Sequence, residues 1–91
     1  MSVSGGSHYN AKPLVGIAHM AFEEHSWLIS CCVAGTVSVW SGADGRLGSL
    51  SLNSEATAFA VCSATGLVCV GTKDGFVRLV DVANPTDPQV R

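Results

Sequence analysis

Residues 27–40 read WLISCCVAGTVSVW, and this stretch decides the fold class. Two apolar runs rich in β-branched and aromatic side chains, residues 27–33 and 36–40, are separated by Ala34 and Gly35. Short runs of this composition with a glycine-containing turn between them are typical of antiparallel strands. Similar runs follow one another from Leu14 to the end of the chain, and no segment holds a convincing helical period. The sequence therefore predicts an all-β protein.

The chain also repeats itself. With an offset of 40 residues and no gap, Gly35 aligns with Gly75, Val37 with Val77 and Ala18 with Ala58. Every apolar run then meets a run and every turn meets a turn, which indicates two copies of one structural unit. We predict a flexible leader over residues 1–13, a first four-stranded unit over 14–52, and a second over 53–91 that is truncated in its outer strand.

The distribution of apolar residues distinguishes inner from outer strands. The first three runs of each unit are apolar on both faces, whereas Leu50 and Leu52 of the fourth run alternate with Ser49 and Ser51. Strands apolar on both sides need cover on both sides, so each unit should stack against neighbours. Two units alone would leave apolar faces open. We expect interfaces with other chains at faces built from Val15, Ile17, Val37 and Val39, or from Val68, Val70 and Val77.

Composition and charge exclude several classes of protein. Charged residues make up 13% of the 91 residues, the net charge is −2, and the five Lys and Arg form no basic stripe, which argues against a nucleic-acid binder. No apolar stretch approaches the roughly 18 residues of a membrane span, and no secretory signal is visible. We therefore expect a cytoplasmic protein with no membrane partner, whose four cysteines are reduced and metal-free.

Catalytic and cofactor chemistries find little support in the motifs. Cys31 and Cys32 are adjacent, so on a strand they point to opposite faces and cannot easily bind one metal ion together. The segment from Gly66 to Lys73 resembles a phosphate-binding loop only in part, because Thr72 precedes the lysine and another strand follows. No nucleophile elbow occurs. We predict no catalytic, cofactor-binding or metal-binding residues, and no enzyme.

The two units resemble the WD-repeat β-propeller family over most of the chain. In the first unit, residues 27–32 followed by Ala34-Gly35-Thr36 and Val37-Ser38-Val39-Trp40 keep the family's order of strand, turn and Trp-ending strand. In the second, residues 67–72, Asp74-Gly75-Phe76 and residues 77–81 follow the same order of strand, turn and strand, without the Trp. The resemblance implies two antiparallel four-stranded propeller blades, the second incomplete.

Departures from the family pattern make these degenerate blades. The family's buried hydrogen-bonded tetrad uses His, Ser or Thr, Asp and Trp. The first unit keeps Ser30 and Trp40, and the second keeps Asp74 but has Val70 and Val80 at the Ser and Trp positions. Such blades rely more on apolar packing. We expect Trp40 between the sheets with Ser30 near its indole nitrogen, since buried indoles usually find an acceptor.

The resemblance implies a non-catalytic platform that holds other proteins together. Its partner-reading loops would be the turns linking the second strand to the third and the fourth strand to the next unit. An alternative for each residue there is selection for turn geometry alone. Assembly with other subunits is favoured over identical copies because the two units differ, and a small independent β domain that binds a ligand or metal is the alternative function. The predicted partner-binding residues are Val33, Ala34, Gly35, Asn53, Ser54, Glu55, Lys73, Asp74 and Gly75.

Overall fold

A computed structural model describes residues 13–42 and 45–91, so residues 1–12 of the predicted leader lie outside the described part. Within the described residues the chain forms β-strands and no helix. No segment there is a helix long and apolar enough to span a membrane. The strands are β1 Leu14–Phe22, β2 His25–Cys32, β3 Thr36–Ser41, β4 Gly45–Ser51, β5 Ala56–Cys62, β6 Leu67–Thr72, β7 Val77–Asp81 and β8 Gln89–Val90.

The strands form two four-stranded antiparallel sheets, which confirms the predicted fold class. The first sheet has the order β1-β2-β3-β4 and the second the order β5-β6-β7-β8, so each strand pairs with its neighbour in the chain. β4 pairs with β3 from Thr36 to Ser41, whereas β8 pairs only with Val80 and Asp81 of β7. The outer strand of the second sheet is thus short, with two residues against seven in β4.

Glycines fix the turns between the second and third strands of both sheets. Gly35 has φ +93° and Gly75 has φ +92°, a backbone conformation that residues with a Cβ rarely adopt. The two glycines are the pair that the 40-residue offset aligned. The repeat in the sequence is therefore a repeat of turn geometry as well as of apolar runs.

The core lies between the two sheets. Its side chains are completely buried except those of Trp27 and Ala56. The register defines the inner face of the first sheet, because it places Ile29 beside both Ala18 and Val39. The sheets approach closely at Gly16, where a Cβ would lie 2.8 Å from Cδ2 of Phe59. The buried apolar residues are Met20, Trp27, Ile29, Cys31, Val37 and Val39 of the first sheet, with Ala56, Val68, Val70, Val80 and Val82 of the second unit.

The sheets stack from their inner to their outer strands. β1 packs on β5 at one side, and β2 also contacts β5. At the other side a Cβ on Gly48 of β4 would lie 3.0 Å from Cδ of Pro88, in the loop that leads into β8. The long connection between β7 and β8 therefore packs against β4.

The alignment of the first strands needs a correction. The bulge in β1 falls between Leu14 and Gly16, and the bulge in β5 falls between Ala56 and Ala58, which gives an offset of 42 residues rather than 40. The turn before β2 comprises residues 23–24, whereas the turn before β6 comprises residues 63–66. These two extra residues shift β5 against the rest of its unit, so the equivalent of Ala58 is Gly16, and Ala18 corresponds to Ala60.

The predicted composition of the inter-chain faces is also wrong for four of its valines. Val37, Val39, Val68 and Val70 are completely buried inside this chain. The cross-strand register explains the error, because Val37 pairs with Cys31 on the inner face while Ile17 pairs with Ser30 on the opposite face.

The second sheet shows the same mixing of faces. Val77 pairs with Gly71, so it lies on the opposite face of the sheet from Val68 and Val70. Its side chain is 71% exposed. Of the predicted face residues, Val77 and Ile17, which is 55% exposed, are the most open to solvent.

Candidate protein interface

The second sheet presents an apolar face that the first sheet does not cover. We call it the outer face of the second sheet. The pairing of β5 with β6 and of β6 with β7 arranges this face in cross-strand rows. The rows are Ala58 with Gly71 and Val77, Ala60 with Cys69 and Leu79, and Cys62 with Leu67 and Asp81.

This face is open and built from small side chains near the inner strand. Ala58 and Ala60 are exposed, and Val77 and Leu79 have exposed fractions of 71% and 37%. Its first two rows hold no carboxylate, ammonium or guanidinium group. Contiguous apolar surface of this kind is uncommon on an isolated soluble domain and marks interaction sites.

The internal repeat shows what kind of structure covers an equivalent face. By register, the row of Ala58, Gly71 and Val77 corresponds to the row of Gly16, Cys31 and Val37 in the first sheet. That first-sheet row is the one against which Phe59 packs. The outer face of the second sheet is therefore the counterpart of a face that a four-stranded sheet covers in this same molecule.

The opposite end of the stack, the outer face of the first sheet, carries bulkier and more polar side chains. Ile17 is 55% exposed and Leu28 is 41% exposed. Leu28 lies between His19 of β1 and Trp40 of β3 in one cross-strand row. The next row contains serines 30, 38 and 49 beside Ile17.

Trp40 lies on this outer face and is half-buried, so its predicted position between the sheets is wrong. The predicted partner is confirmed, because the indole Nε1 donates a hydrogen bond to Ser30 Oγ over 2.9 Å. In the second unit, the corresponding Val70 and Val80 are completely buried. Apolar packing thus replaces the polar pair, as the sequence predicted for a degenerate unit.

The predicted partner-binding turns lie together at one end of the two sheets. The Ala56 N–H donates to the Val33 carbonyl over 3.0 Å, and the Lys73 N–H donates to the Glu55 carbonyl over 2.8 Å. Lys73 and Glu55 also form an exposed ion pair at 3.5 Å. The turn between β2 and β3 is also hydrogen-bonded to the segment that follows β4, because the Leu52 N–H donates to the Gly35 carbonyl over 2.9 Å.

These contacts give the turns a structural role. Gly35 is buried against the backbone of Ser54, whereas Asn53 is exposed and has φ +59°. The Thr72 hydroxyl donates to the Asp74 carboxylate, and this hydrogen bond is the main cause of the lowered pKa of Asp74. Their role in binding a partner stays a prediction.

The four thiols are free and lie in different environments. Burial raises the pKa of Cys31 to about 11, with a smaller contribution from the neighbouring Cys32. Cys62 is exposed on the outer face of the second sheet, and a hydrogen bond from the Thr65 side chain is the main cause of its lowered pKa. No group of His, Cys, Asp and Glu suited to a metal ion occurs in residues 13–42 and 45–91.

Comparison with known proteins gives a similarity over part of the chain. No protein-family model matches the chain. Over 59 residues, 64% of its length, the chain is 34% identical to Cilia- and flagella-associated protein 43 of Xenopus laevis. The matched segment is 4% of the length of that protein, so the chain is similar to a small part of a much larger polypeptide.

The alanines and cysteines of the outer face are residues that sequence reasoning missed. These side chains are small, and the sequence analysis placed no candidate interface on them. The turn lengths hold the signal that could have identified them, because the number of residues in each turn fixes which residues of successive strands share a face.

Proposed function

We propose that this chain is a non-catalytic protein-interaction module, two stacked sheets of a β-propeller that other protein completes. The observation that carries the proposal is the outer face of the second sheet, which is apolar, exposed and equivalent to a face that is covered within the same molecule. A sheet face of this type is stabilised by the burial of its apolar surface, at roughly 25 cal/mol per Å². Covering it with protein is the physical basis of the proposed association.

The similarity to the Xenopus protein suggests the setting. Its name associates that protein with cilia and flagella, and we extend this association to the present chain as part of the proposal. The module would then belong to a cytoplasmic assembly of cilia or flagella, with other protein subunits as its partners. The predicted turns, represented by Glu55 and Lys73, would form the rim at one end of the contact.

Photo-cross-linking in ciliated cells tests the proposal. A photoreactive amino acid that replaces Val77 would lie on the outer face of the second sheet. The same amino acid in place of Ala64, in the exposed turn after β5, serves as the control. We expect position 77 to give cross-linked protein adducts at several times the yield of position 64. Leu79→Lys puts a charge into the same face. We expect this variant to lose those adducts while the chain stays folded.

Two outcomes would contradict the proposal. Equal adduct yields from both positions would show that the outer face has no preferred protein partner. A folded monomer that yields no adduct at position 77, and whose melting temperature rises on addition of a metal ion or small ligand, would favour the independent β domain.

A further inference from the structure

We infer that the open edge of β7 binds an extended segment of a partner protein as an added, antiparallel strand. The open edge comprises Phe76, Val77 and Arg78. The segment would place an acidic residue opposite Arg78 and apolar residues opposite Val77 and Phe76. The inference rests on the proposed function and names the chemistry of one partner segment, which binds at a sheet edge rather than on the outer face of the second sheet.

The first sheet shows a completed edge at the equivalent place. There β4 pairs with β3 as far as Thr36, and the Leu52 N–H donates to the Gly35 carbonyl over 2.9 Å. Hydrogen-bonded pairs alternate with non-bonded pairs along an antiparallel ladder, so the bonded pair next to this contact is Val37 with Leu50. An outer strand therefore satisfies the backbone of β3 up to its turn.

The second sheet lacks this pairing at the corresponding end of β7. β8 pairs with Val80 and Asp81, and the Arg91 N–H donates to the Leu79 carbonyl over 2.8 Å. The same alternation directs the N–H and C=O of Val77 to this side of β7. In the described part of the chain neither group has a backbone partner there. β7 thus offers one donor and one acceptor to a further strand.

Two side chains of the open edge are apolar and exposed. Phe76 is 59% exposed and Val77 is 71% exposed. Their counterparts under the 40-residue offset, Thr36 and Val37, each pair with a residue of β4. Exposed apolar edges are templates for pairing with another chain, and soluble proteins usually shorten, charge or cover them. The open edge therefore favours an occupant with apolar side chains at these two positions.

Arg78 sets the charge of the third position. Its side chain shares a cross-strand row with Val70 and Phe59. The guanidinium lies over the Phe76 ring at 5.2 Å, and Nη2 contacts the Asp74 carboxylate at 3.5 Å. Nε of Arg78 is buried and has no acceptor among the described residues. This free donor, together with the stabilisation of opposite charges directly across a strand pair, selects a carboxylate opposite Arg78.

The register fixes the order of the three residues in the partner segment. A strand that continues the line of β8 runs antiparallel to β7, so it meets Arg78 first, then Val77 and then Phe76. Neighbouring residues of a strand point to opposite faces. The acidic residue and the second apolar residue therefore lie on the side of the first sheet, and the first apolar residue extends the outer face of the second sheet. Main-chain hydrogen bonds give such an added strand its affinity, and these side chains give it selectivity.

Amide hydrogen exchange measured by NMR tests the inference on the unmodified chain. The Val77 N–H should exchange at least about tenfold faster than the Val37 N–H, which is its bonded counterpart and the internal control. The probe is a synthetic ten-residue peptide that carries Glu-Val-Val between Ser and Gly residues. At a saturating concentration it should slow exchange at Val77 at least about tenfold and leave Val37 unchanged. The same peptide with Lys in place of Glu should bind about fivefold more weakly, because like charges then face each other.

Two substitutions at one position separate the backbone from the side chain. Val77→Pro removes the outward N–H and keeps the bonds to β6, which Arg78 and Val80 make on the other side of the strand. It should weaken peptide binding at least about tenfold. Val77→Ala keeps the N–H and is the matched control, which should bind within about threefold of the unmodified chain. Circular dichroism shows whether both variants fold, and if Val77→Pro does not, the exchange and Lys-peptide results decide.

Any of three results would overturn the inference. The Val77 N–H could be as protected as that of Val37 before the peptide is added, the peptide could fail to protect it, or the two folded variants could lose binding equally. Ala60→Lys alters the outer face of the second sheet away from the open edge and should leave peptide binding intact. If the peptide does not bind while position 77 still gives adducts that Leu79→Lys removes, the inference fails and the proposed function stands.

Discussion

At the residue scale, a hydrogen bond between Trp40 and Ser30 lies on the outer face of the first sheet. The bond is 2.9 Å long and joins two adjacent strands, β3 and β2, and Ser30 is only 8% exposed. A hydrogen bond in such a shielded position contributes more than one between two exposed side chains, because its loss leaves a poorly hydrated donor.

We predict that Ser30→Ala lowers the free energy of unfolding by about 1 kcal/mol, because the Trp40 N–H loses this acceptor. A double-mutant cycle with Trp40→Phe, measured by denaturant unfolding, should give a coupling energy of about 0.5–1.5 kcal/mol. Ser49→Ala on the exposed β4 strand is the control and should stay within about 0.5 kcal/mol of the unmodified chain. A coupling energy near zero would contradict the contact.

The thiols provide a second prediction at this scale. The thiolate is the reactive form, so the lowered pKa of exposed Cys62 should make it the first cysteine to react with iodoacetamide near neutral pH. Cys31, buried and with a pKa raised to about 11, should react much more slowly. Peptide mass spectrometry after timed alkylation checks the order. Thr65→Val should move the pH profile of Cys62 alkylation to higher pH, and an unchanged profile would refute the assigned cause.

At the scale of elements, the turns connect the two sheets as well as the strands within them. Gly35 lies in the turn after β2 and packs on the backbone of Ser54, at the junction of the two units. Gly75 has nearly the same φ, but no atom lies within 4 Å of the position of its missing Cβ. The two glycines thus share a backbone conformation, but only Gly35 has neighbouring atoms close to the position of its missing Cβ.

This pair gives a controlled prediction. Gly75→Ala should destabilise the protein by about 1–2 kcal/mol, the usual cost of a left-handed conformation for a residue with a Cβ. Gly35→Ala should cost more, because its Cβ would lie 3.2 Å from the Ser54 carbonyl carbon and the backbone there must move. Thermal unfolding of both variants measures the difference. Equal losses of stability would show that the turn does not press on the second unit.

At the scale of the whole molecule, stability depends on the packing of one sheet on the other. Phe59 fills the space above Gly16, and the completely buried side chains come from both sheets. Because the core is shared, the two sheets should unfold together in a single cooperative transition.

We predict that Gly16→Ala destabilises the protein by about 1–3 kcal/mol, since a Cβ 2.8 Å from the Phe59 ring overpacks the contact between the sheets. Phe59→Leu in the same chain should recover part of the loss, because it removes the ring. Gly71→Ala is the control, with its nearest neighbour at an ordinary 3.4 Å, and should change stability little. Additive effects of the first two substitutions would show that the sheets do not meet at these residues.

The sequence by itself determined the features that depend on short-range order. Runs of β-branched residues separated by turns gave the all-β class, and the offset between Gly35 and Gly75 gave the two units and their equivalent turns. The pairing of Trp40 with Ser30 followed from the resemblance to the WD-repeat family, whose hydrogen-bonded tetrad contains a Ser or Thr and a Trp. The predicted role of the turns in binding remains a prediction.

Only the tertiary structure decided which face of each strand is buried and which is open. The turn before β6 is two residues longer than the turn before β2, which shifts β5 in the repeat. The pairing of β6 with β7 puts Val77 on the open face, while Val68 and Val70 face the core. Both faces of these strands are apolar, so composition did not mark the inner one. The choice was made by cross-strand register and by the stacking of the second sheet on the first, which are contacts between residues far apart in the chain.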